Sequence, residues 1–249
     1  MSKAYDQIHK LGDALKKDPN VLCLLGLGSM SETTRVDDYS DMDFFLIVET
    51  GLKQHYIDHL EWLTIEPIVF IFKNTEDGYK VLFKSGVFAE FAVFEKEELP
   101  SISFTTGQVI YKHRDFDLSW IIPKNVPSPK YRSIEYLVNE ALSNLYIGLK
   151  RDLRGEKASA FSFIQVYAAS LIAELLPRVY KDHVILTDPF VFERRIEFRI
   201  LEAASILSEI KQGYNQNKAS AKAALLFLET HFEVNKAMSD EINHMIEFL

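Results

Sequence analysis

Gly28-Ser29, a polar loop, and then Tyr39-Ser40-Asp41-Met42-Asp43-Phe44-Phe45-Leu46-Ile47-Val48 is the stretch on which the reading of this chain turns. It sets two carboxylates on either side of Met42, at the start of an apolar run that Thr50-Gly51 closes. A run of that length between turn residues reads as a buried strand. Side chains alternate along a strand, so Asp41 and Asp43 are expected on one face. Neighbouring carboxylates repel each other and lose hydration when partly buried, and a cation between them relieves both costs. Mg²⁺ suits the task, because it takes few carboxylate oxygens and completes its shell with substrate phosphates. The Gly-Ser turn upstream allows close approach of a phosphate to backbone N–H groups. Together these features point to nucleotide chemistry.

Working outward, the first half of the chain alternates short strands with helices. Ala4 to Lys17 has Ile8, Leu11 and Leu15 at helical spacing and ends at Asp18-Pro19-Asn20. Strands are expected over Val21–Leu27, Met42–Val48, Ile68–Phe72, Tyr79–Phe83, Val87–Phe94 and Gln108–Lys112, with a helix over Lys53–Leu63. Asn74-Thr75-Glu76-Asp77-Gly78 reads as a hairpin turn and Ser85-Gly86 as a tight turn. Pro123, Pro127 and Pro129 mark a linker, and the pattern changes beyond it. Ser133–Arg154, Ala158–Leu176, Phe192–Tyr214, Lys218–Phe232 and a segment from Ser239 all carry helical periodicity. The expected class is α+β: residues 1–125 form a mixed sheet with flanking helices, and residues 130–249 a helical bundle.

Composition narrows the function classes. The 249 residues are 47% hydrophobic, enough for one large domain or two small ones. A net charge of −8 argues against broad electrostatic binding of nucleic acid. Cys23 is the sole cysteine and lies in an apolar run, so it reads as a buried, inert thiol. The N-terminus lacks the apolar core of a signal peptide, and no uninterrupted apolar stretch is expected to span a bilayer. A soluble cytoplasmic protein with no membrane partner is the expectation. The seven histidines show no metal-ligand spacing.

A third carboxylate stands out. Glu90 is the one charge in Val87-Phe88-Ala89-Glu90-Phe91-Ala92-Val93-Phe94, where burial is expected and a lone carboxylate needs a cation or donor. If this strand lies beside the one carrying Asp41 and Asp43, Glu90 completes a cluster able to hold metal and to deprotonate a hydroxyl. Glu90 at a strand edge, reaching water, is the plainer alternative. Glu95, Glu97 and Glu98 read as a solvated strand end, and Asp37 and Asp38 as loop residues.

Gly28-Ser29, the polar loop, Tyr39-Ser40-Asp41-Met42-Asp43 and the later strand carboxylate resemble the DNA polymerase β-like nucleotidyltransferase superfamily. Trp62-Leu63, Glu66-Pro67-Ile68-Val69-Phe70-Ile71-Phe72-Lys73-Asn74 and Glu90-Phe91 with Glu95-Lys96-Glu97-Glu98-Leu99 are similar to stretches of the lincosamide nucleotidyltransferases of the antibiotic-resistance group. Leu145 to Glu156 resembles their basic-Gly-Glu helix end. The chain departs from the pattern in two places. Met30 to Val36 carries no glycine, with Arg35 as the candidate positive charge, and Asp43 stands where those enzymes have Glu.

The resemblance implies Mg²⁺ held by Asp41, Asp43 and Glu90, with Glu90 also taking the proton of an acceptor hydroxyl. It implies an NTP, ATP first, contacted by Gly28, Ser29, Arg35 and Ser40. It assigns acceptor contacts to Arg151, Arg154 and Glu156 in the helical half, and it alone suggests a homodimer. The implied acceptor is a small hydroxylated molecule such as a lincosamide or aminoglycoside. Two other classes compete: a glycosyltransferase using Asp-x-Asp for a sugar nucleotide, and a binding or regulatory protein of the same fold without turnover. The basic end of the helix also has a simpler explanation, the complementing of its dipole. The tyrosines Tyr131, Tyr136, Tyr146 and Tyr167 read as core or interface residues.

Overall fold

The computed structural model describes residues 2–126, 132–183 and 191–249, with the backbone alone for Arg35. The chain divides into two compact units, Met1–Pro127 and Ser128–Leu249.

In the N-terminal unit, α1 (Lys3–Leu15) starts at Ser2, whose hydroxyl accepts the Tyr5 N–H at 3.3 Å. β1 (Val21–Gly26), β2 (Met42–Val48), a short α2 (Lys53–Asp58), β3 (Ile68–Lys73), β4 (Gly78–Phe83), β5 (Phe88–Glu95) and β6 (Gln108–Lys112) follow. The six strands form one mixed sheet in the order β3-β4-β5-β2-β1-β6, antiparallel except for the parallel pair β2–β5. A parallel neighbour requires a crossover, which α2 and the β3–β4 hairpin provide.

Strand alternation sends Met42, Phe44, Leu46, Ala89, Phe91 and Val93 to one side, where they pack with Ile8 and Leu11 of α1. Phe44 and Phe91 stack at 5.3 Å, with Trp62 edge-on to both. Leu25, Ile47 and Phe94 go to the other side, under Leu99, Phe104 and Phe116. Both faces of β1 and of the C-terminal part of β2 are therefore buried. β3 is different: it is an edge strand, and Val69, Phe70, Ile71 and Phe72 are all about half exposed.

The expected helix over Lys53–Leu63 is shorter than its periodicity. It stops at Asp58, with His59 extended, and resumes as a 3₁₀ turn at Glu61–Leu63. The Trp62 indole N–H donates to the Tyr56 carbonyl at 2.9 Å, folding the segment back onto α2. The strand end is also tied rather than merely solvated. Lys53 Nζ lies 2.6 Å from both Asp77 and Glu98, and Glu95 accepts the Gly51 N–H at 2.8 Å. Burial alone would lower the Lys53 ammonium, but its two carboxylate partners outweigh burial and its pKa is raised.

The C-terminal unit comprises α3 (Ile134–Leu153), α4 (Lys157–Phe161), a π-helical stretch at Ser162–Ala168, α5 (Ala169–Val179), α6 (Ile196–Arg199), α7 (Ala203–Ile210), α8 (Asn217–His231) and α9 (Lys236–Phe248). Ser133 caps α3 through the Tyr136 N–H. Leu142, Leu145, Leu149, Ile164, Ile172, Leu175 and Leu228 centre its core. The single helix expected over Phe192–Tyr214 is broken into α6 and α7. Arg195 takes a left-handed conformation, and Ile200 turns out of helical geometry to become fully buried. Buried Arg199 pairs with Asp182 at 2.5 Å, so tertiary burial overrides helix propensity here.

One helical run, Lys157–Val179, is long and apolar enough to cross a bilayer by length and composition alone. Its most apolar window is 56% buried within the protein, where Ile164, Ala168 and Ile172 are core residues. Tyr136 and Tyr167 are half exposed, whereas Tyr146 packs on the core. Tyr131, Pro127, Pro129 and Asp188-Pro189 lie outside the described residues.

Candidate functional site

The parallel pairing of β2 with β5 sets Asp43 directly beside Glu90, and the antiparallel pairing of β5 with β4 sets Lys80 on the other side of Glu90. Phe72 of β3 continues the row beyond Lys80. Adjacent strands lie about 4.8 Å apart, so Asp43, Glu90, Lys80 and Phe72 form one line across the sheet. Their strand neighbours Met42, Phe44, Ala89, Phe91 and Val81 are buried on the opposite face, which leaves this row on the less covered side.

The Gly28-Ser29 turn lies against the acid strand. The Leu27 N–H donates to the Asp43 carbonyl at 2.7 Å, extending the β1–β2 pairing into the turn. Gly28 then takes φ +53°, and a Cβ on it would meet the Asp43 Oδ2 at 2.4 Å. Only glycine combines that left-handed backbone with so close an approach to a carboxylate. The Ser31 hydroxyl donates to the Gly28 carbonyl at 2.8 Å, and the Ser29 hydroxyl reaches the Asp41 carbonyl at 3.4 Å. Asp41 itself is exposed, one residue ahead of the strand.

Glu90 is not the buried carboxylate that its apolar strand suggests. Its side chain is 45% exposed, with Oε2 3.3 Å from Lys80 Nζ and Oε1 accepting from Asn74 Nδ2 at 2.9 Å. The Asn74 Oδ1 is buried and meets no donor, an unused acceptor at the edge of the site. Neither Lys80 nor Asn74 was evident as a site residue. The only trace of Lys80 in the sequence is its place in a strand whose register the hairpin turn sets, and Asn74 reads simply as a turn residue.

The donor chemistry suits Mg²⁺ in part. Asp41 and Asp43 offer hard oxygen donors two residues apart at the start of β2. Glu90 is engaged by Lys80 and Asn74, and among the described residues no group of three His, Cys, Asp or Glu side chains is gathered at metal-binding spacing. Asp43 and Glu90 thus stand side by side, with Glu90 paired to Lys80, and Asp41 lies two residues ahead of Asp43.

The remaining candidates divide by unit. Ser40 is held by Asp37: its hydroxyl donates to Asp37 Oδ1 at 3.0 Å and accepts the Asp37 N–H at 2.9 Å. Asp37 also accepts the Tyr39 N–H, so this residue organises the loop rather than merely occupying it. Tyr39 is 94% exposed beside Ser40 and Asp41. Arg35 lies in a 3₁₀ turn at Thr33–Arg35, and its side chain is outside the described residues. In the helical unit, Arg151 pairs with Glu156 at 2.6 Å around the Gly155 turn, and Arg154 caps α3 through its N–H. Arg151 and Glu156 neutralise each other at this helix end, and Arg154 closes it through its backbone. A depression of about 530 Å³ in the same unit, lined by Asn139, Leu142, Tyr146, Met238 and Glu241 among others, carries one carboxylate and no cation. Cys23 is buried, and burial pushes its thiol up to about 12, the setting of an inert core residue.

No family model matches the chain, and no curated protein matches it. Among solved structures it is similar to an aminoglycoside 6-adenyltransferase from Bacillus subtilis, at 11% identity and a TM-score of 0.39 over 97% of this chain and 96% of that one. It is also similar to a nucleotidyltransferase-like protein from Exiguobacterium sibiricum 255-15, at 9% identity and a TM-score of 0.31 over 96% and 75% of the two chains. Likenesses at this level are loose, and the functional reading rests on the chain's own residues.

Proposed function

We propose that this protein transfers a nucleoside monophosphate from an NTP, ATP first, to a hydroxyl of a small acceptor, with Mg²⁺. One observation carries the reading: the β2–β5 register brings Asp43 and Glu90 side by side, with the left-handed Gly28 turn laid on the Asp43 carboxylate. Two adjacent carboxylates repel each other, and a divalent cation bound beside them lowers that cost and brings phosphate oxygens with it.

Asp41 and Asp43 would hold the metal, which when bound would neutralise triphosphate charge and polarise the α-phosphoryl group. The Gly28-Ser29 turn offers backbone N–H groups and a hydroxyl to phosphate oxygens. Glu90 takes the proton as the acceptor oxygen attacks the α-phosphorus in line. The new O–P bond forms, the bridging P–O bond breaks, and pyrophosphate leaves. Lys80 and Asn74 hold the Glu90 carboxylate in place beside Asp43. The proposal sets the enzyme in the cytoplasm, where NTPs are available. Lincosamides and aminoglycosides, the acceptors that the motif resemblance implies, come first in an acceptor panel.

The testing experiment is pyrophosphate release from each NTP with Mg²⁺ across that panel, with Asp41→Asn as control. Acceptor-dependent release that the variant loses supports the reading. A second reading has its own observation: the engagement of Glu90 by Lys80 and Asn74 is what a binding protein without turnover would retain. Tight Mg-NTP binding with no release for any acceptor would favour it, and no NTP binding at all would exclude both.

A further inference from the structure

We propose that the exposed edge strand β3 is a self-association surface, on which a second copy of this chain pairs its own β3 in antiparallel fashion. β3 ends the sheet, so one row of its backbone N–H and C=O groups faces no strand. Val69, Phe70, Ile71 and Phe72 are 59%, 50%, 46% and 55% exposed, although they point alternately to the two sheet faces. The strand is therefore open on three sides. The opposite edge is not: the residues of β6 are mostly half-buried, and α1 packs along it, with Gly12 against Ile110.

An uncovered, apolar edge strand is a template for strand pairing that proteins ordinarily blunt with charge, proline or cover. Here Pro67 and the bulge after Ile68 at the start of the strand and Lys73 at its end are such devices, and the four central residues carry neither charge nor proline. A small ligand would cover one face and leave the edge and the other face wet. A second strand satisfies the edge, the side that a small ligand on either face leaves unpaired.

The self-pairing also matches in charge. Glu66 lies just ahead of the strand and Lys73 at its end, and among the described residues neither makes an ion pair; Lys73 approaches the Tyr79 ring at 6.0 Å. A two-fold antiparallel arrangement brings the start of each strand towards the end of the other, so each Glu66 comes towards the partner copy's Lys73. The contact is isologous and closes at two copies, which avoids open-ended growth. The four apolar side chains expose on the order of 400 Å² per copy, roughly half of what a stable interface needs on each side. Lateral pairing covers part of that area and the backbone edge and flanking residues add to it, so the expected association is weak.

The test is sedimentation velocity and light scattering from low to several hundred micromolar protein, with hydrogen exchange of the β3 amides at both ends of the range. The expected result is a concentration-dependent dimer with β3 amides protected only in the dimer. Phe70→Lys/Phe72→Lys should keep its circular dichroism and be monomeric throughout. Glu66→Lys and Lys73→Glu should each weaken association about threefold, the scale of an exposed ion pair, and the double swap should restore it. A monomer at every concentration overturns the proposal. So does a dimer that the double lysine variant leaves intact, which would put the interface elsewhere. Protection of β3 in a monomer also overturns it, in favour of cover by another segment of the same chain.

Discussion

Met42–Val48 and Ile68–Lys73 are two apolar runs of one sheet, alike in composition and opposite in surroundings. The first sits between two strands and is buried on both faces beyond Phe45, while the second ends the sheet and is exposed along almost its whole length. Apolar composition makes both runs strands, but strand order alone decides which is core and which is surface. The difference also separates two uses of the sheet. In the interior the rigid pairing fixes a carboxylate against a glycine turn and another carboxylate. At the edge the same kind of sequence is left to meet another molecule.

The strongest way to break this comparison is to remove the interior acid. Asp43→Asn should reduce acceptor-dependent pyrophosphate release on the order of 10³-fold, the scale of losing a group that stabilises developing charge. Thermal stability should hold or rise slightly, since a repulsive neighbour of Glu90 is neutralised. A large fall in the melting temperature with activity retained would mean that Asp43 is structural.

Packing gives the next largest effect. Phe91→Ala, in the stacked core beside Phe44, should cost about 3–5 kcal/mol in denaturant unfolding. Phe72→Ala, at the edge, should cost the dilute protein no more than about 1 kcal/mol. Equal costs would show that β3 is covered in the folded molecule.

Gly28→Ala comes third. A side chain there must adopt a left-handed backbone, at about 1–2 kcal/mol, and must displace the Asp43 carboxylate. Gly51 is the control, with φ +85° and open space around its Cβ position. Gly51→Ala should show the backbone cost alone, and Gly28→Ala the same cost plus about a tenfold or larger loss of transfer. Equal activity in the two variants would detach the Gly28 turn from the site.

Much of this layout is legible in the sequence, for reasons that differ by element. The bounds of β2 and β6 follow from apolar runs between turn residues, and the change at the proline cluster follows from a change of period. Asp41, Asp43 and Glu90 stand out because charge within an apolar strand is costly. What escapes the sequence is whatever depends on contacts distant along the chain. The Trp62 indole that ends α2, the Asp182 partner of Arg199 that breaks the helix before α7, and the exposure of β3 are all set by tertiary structure. Lys80 escapes for the same reason: its pairing with Glu90 exists only through the register of the β3–β4 hairpin and its join to β5.

Lys80 also joins the two halves of the comparison, since it stands on β4 between the interior acids and the exposed edge. Its ion pair with Glu90 is well solvated, with the two side chains 39% and 45% exposed, so Lys80→Met should change stability by less than about 1 kcal/mol. The informative readout is kinetic. If Lys80 only restrains Glu90, the substitution frees carboxylate lone pairs for the acceptor proton, and kcat should rise a few-fold with the NTP KM unchanged. If the ammonium leaves Glu90 to meet a phosphate when the nucleotide binds, KM should rise severalfold and kcat should fall. A variant indistinguishable from the parent in both constants would leave Lys80 as a surface charge and remove it from the mechanism.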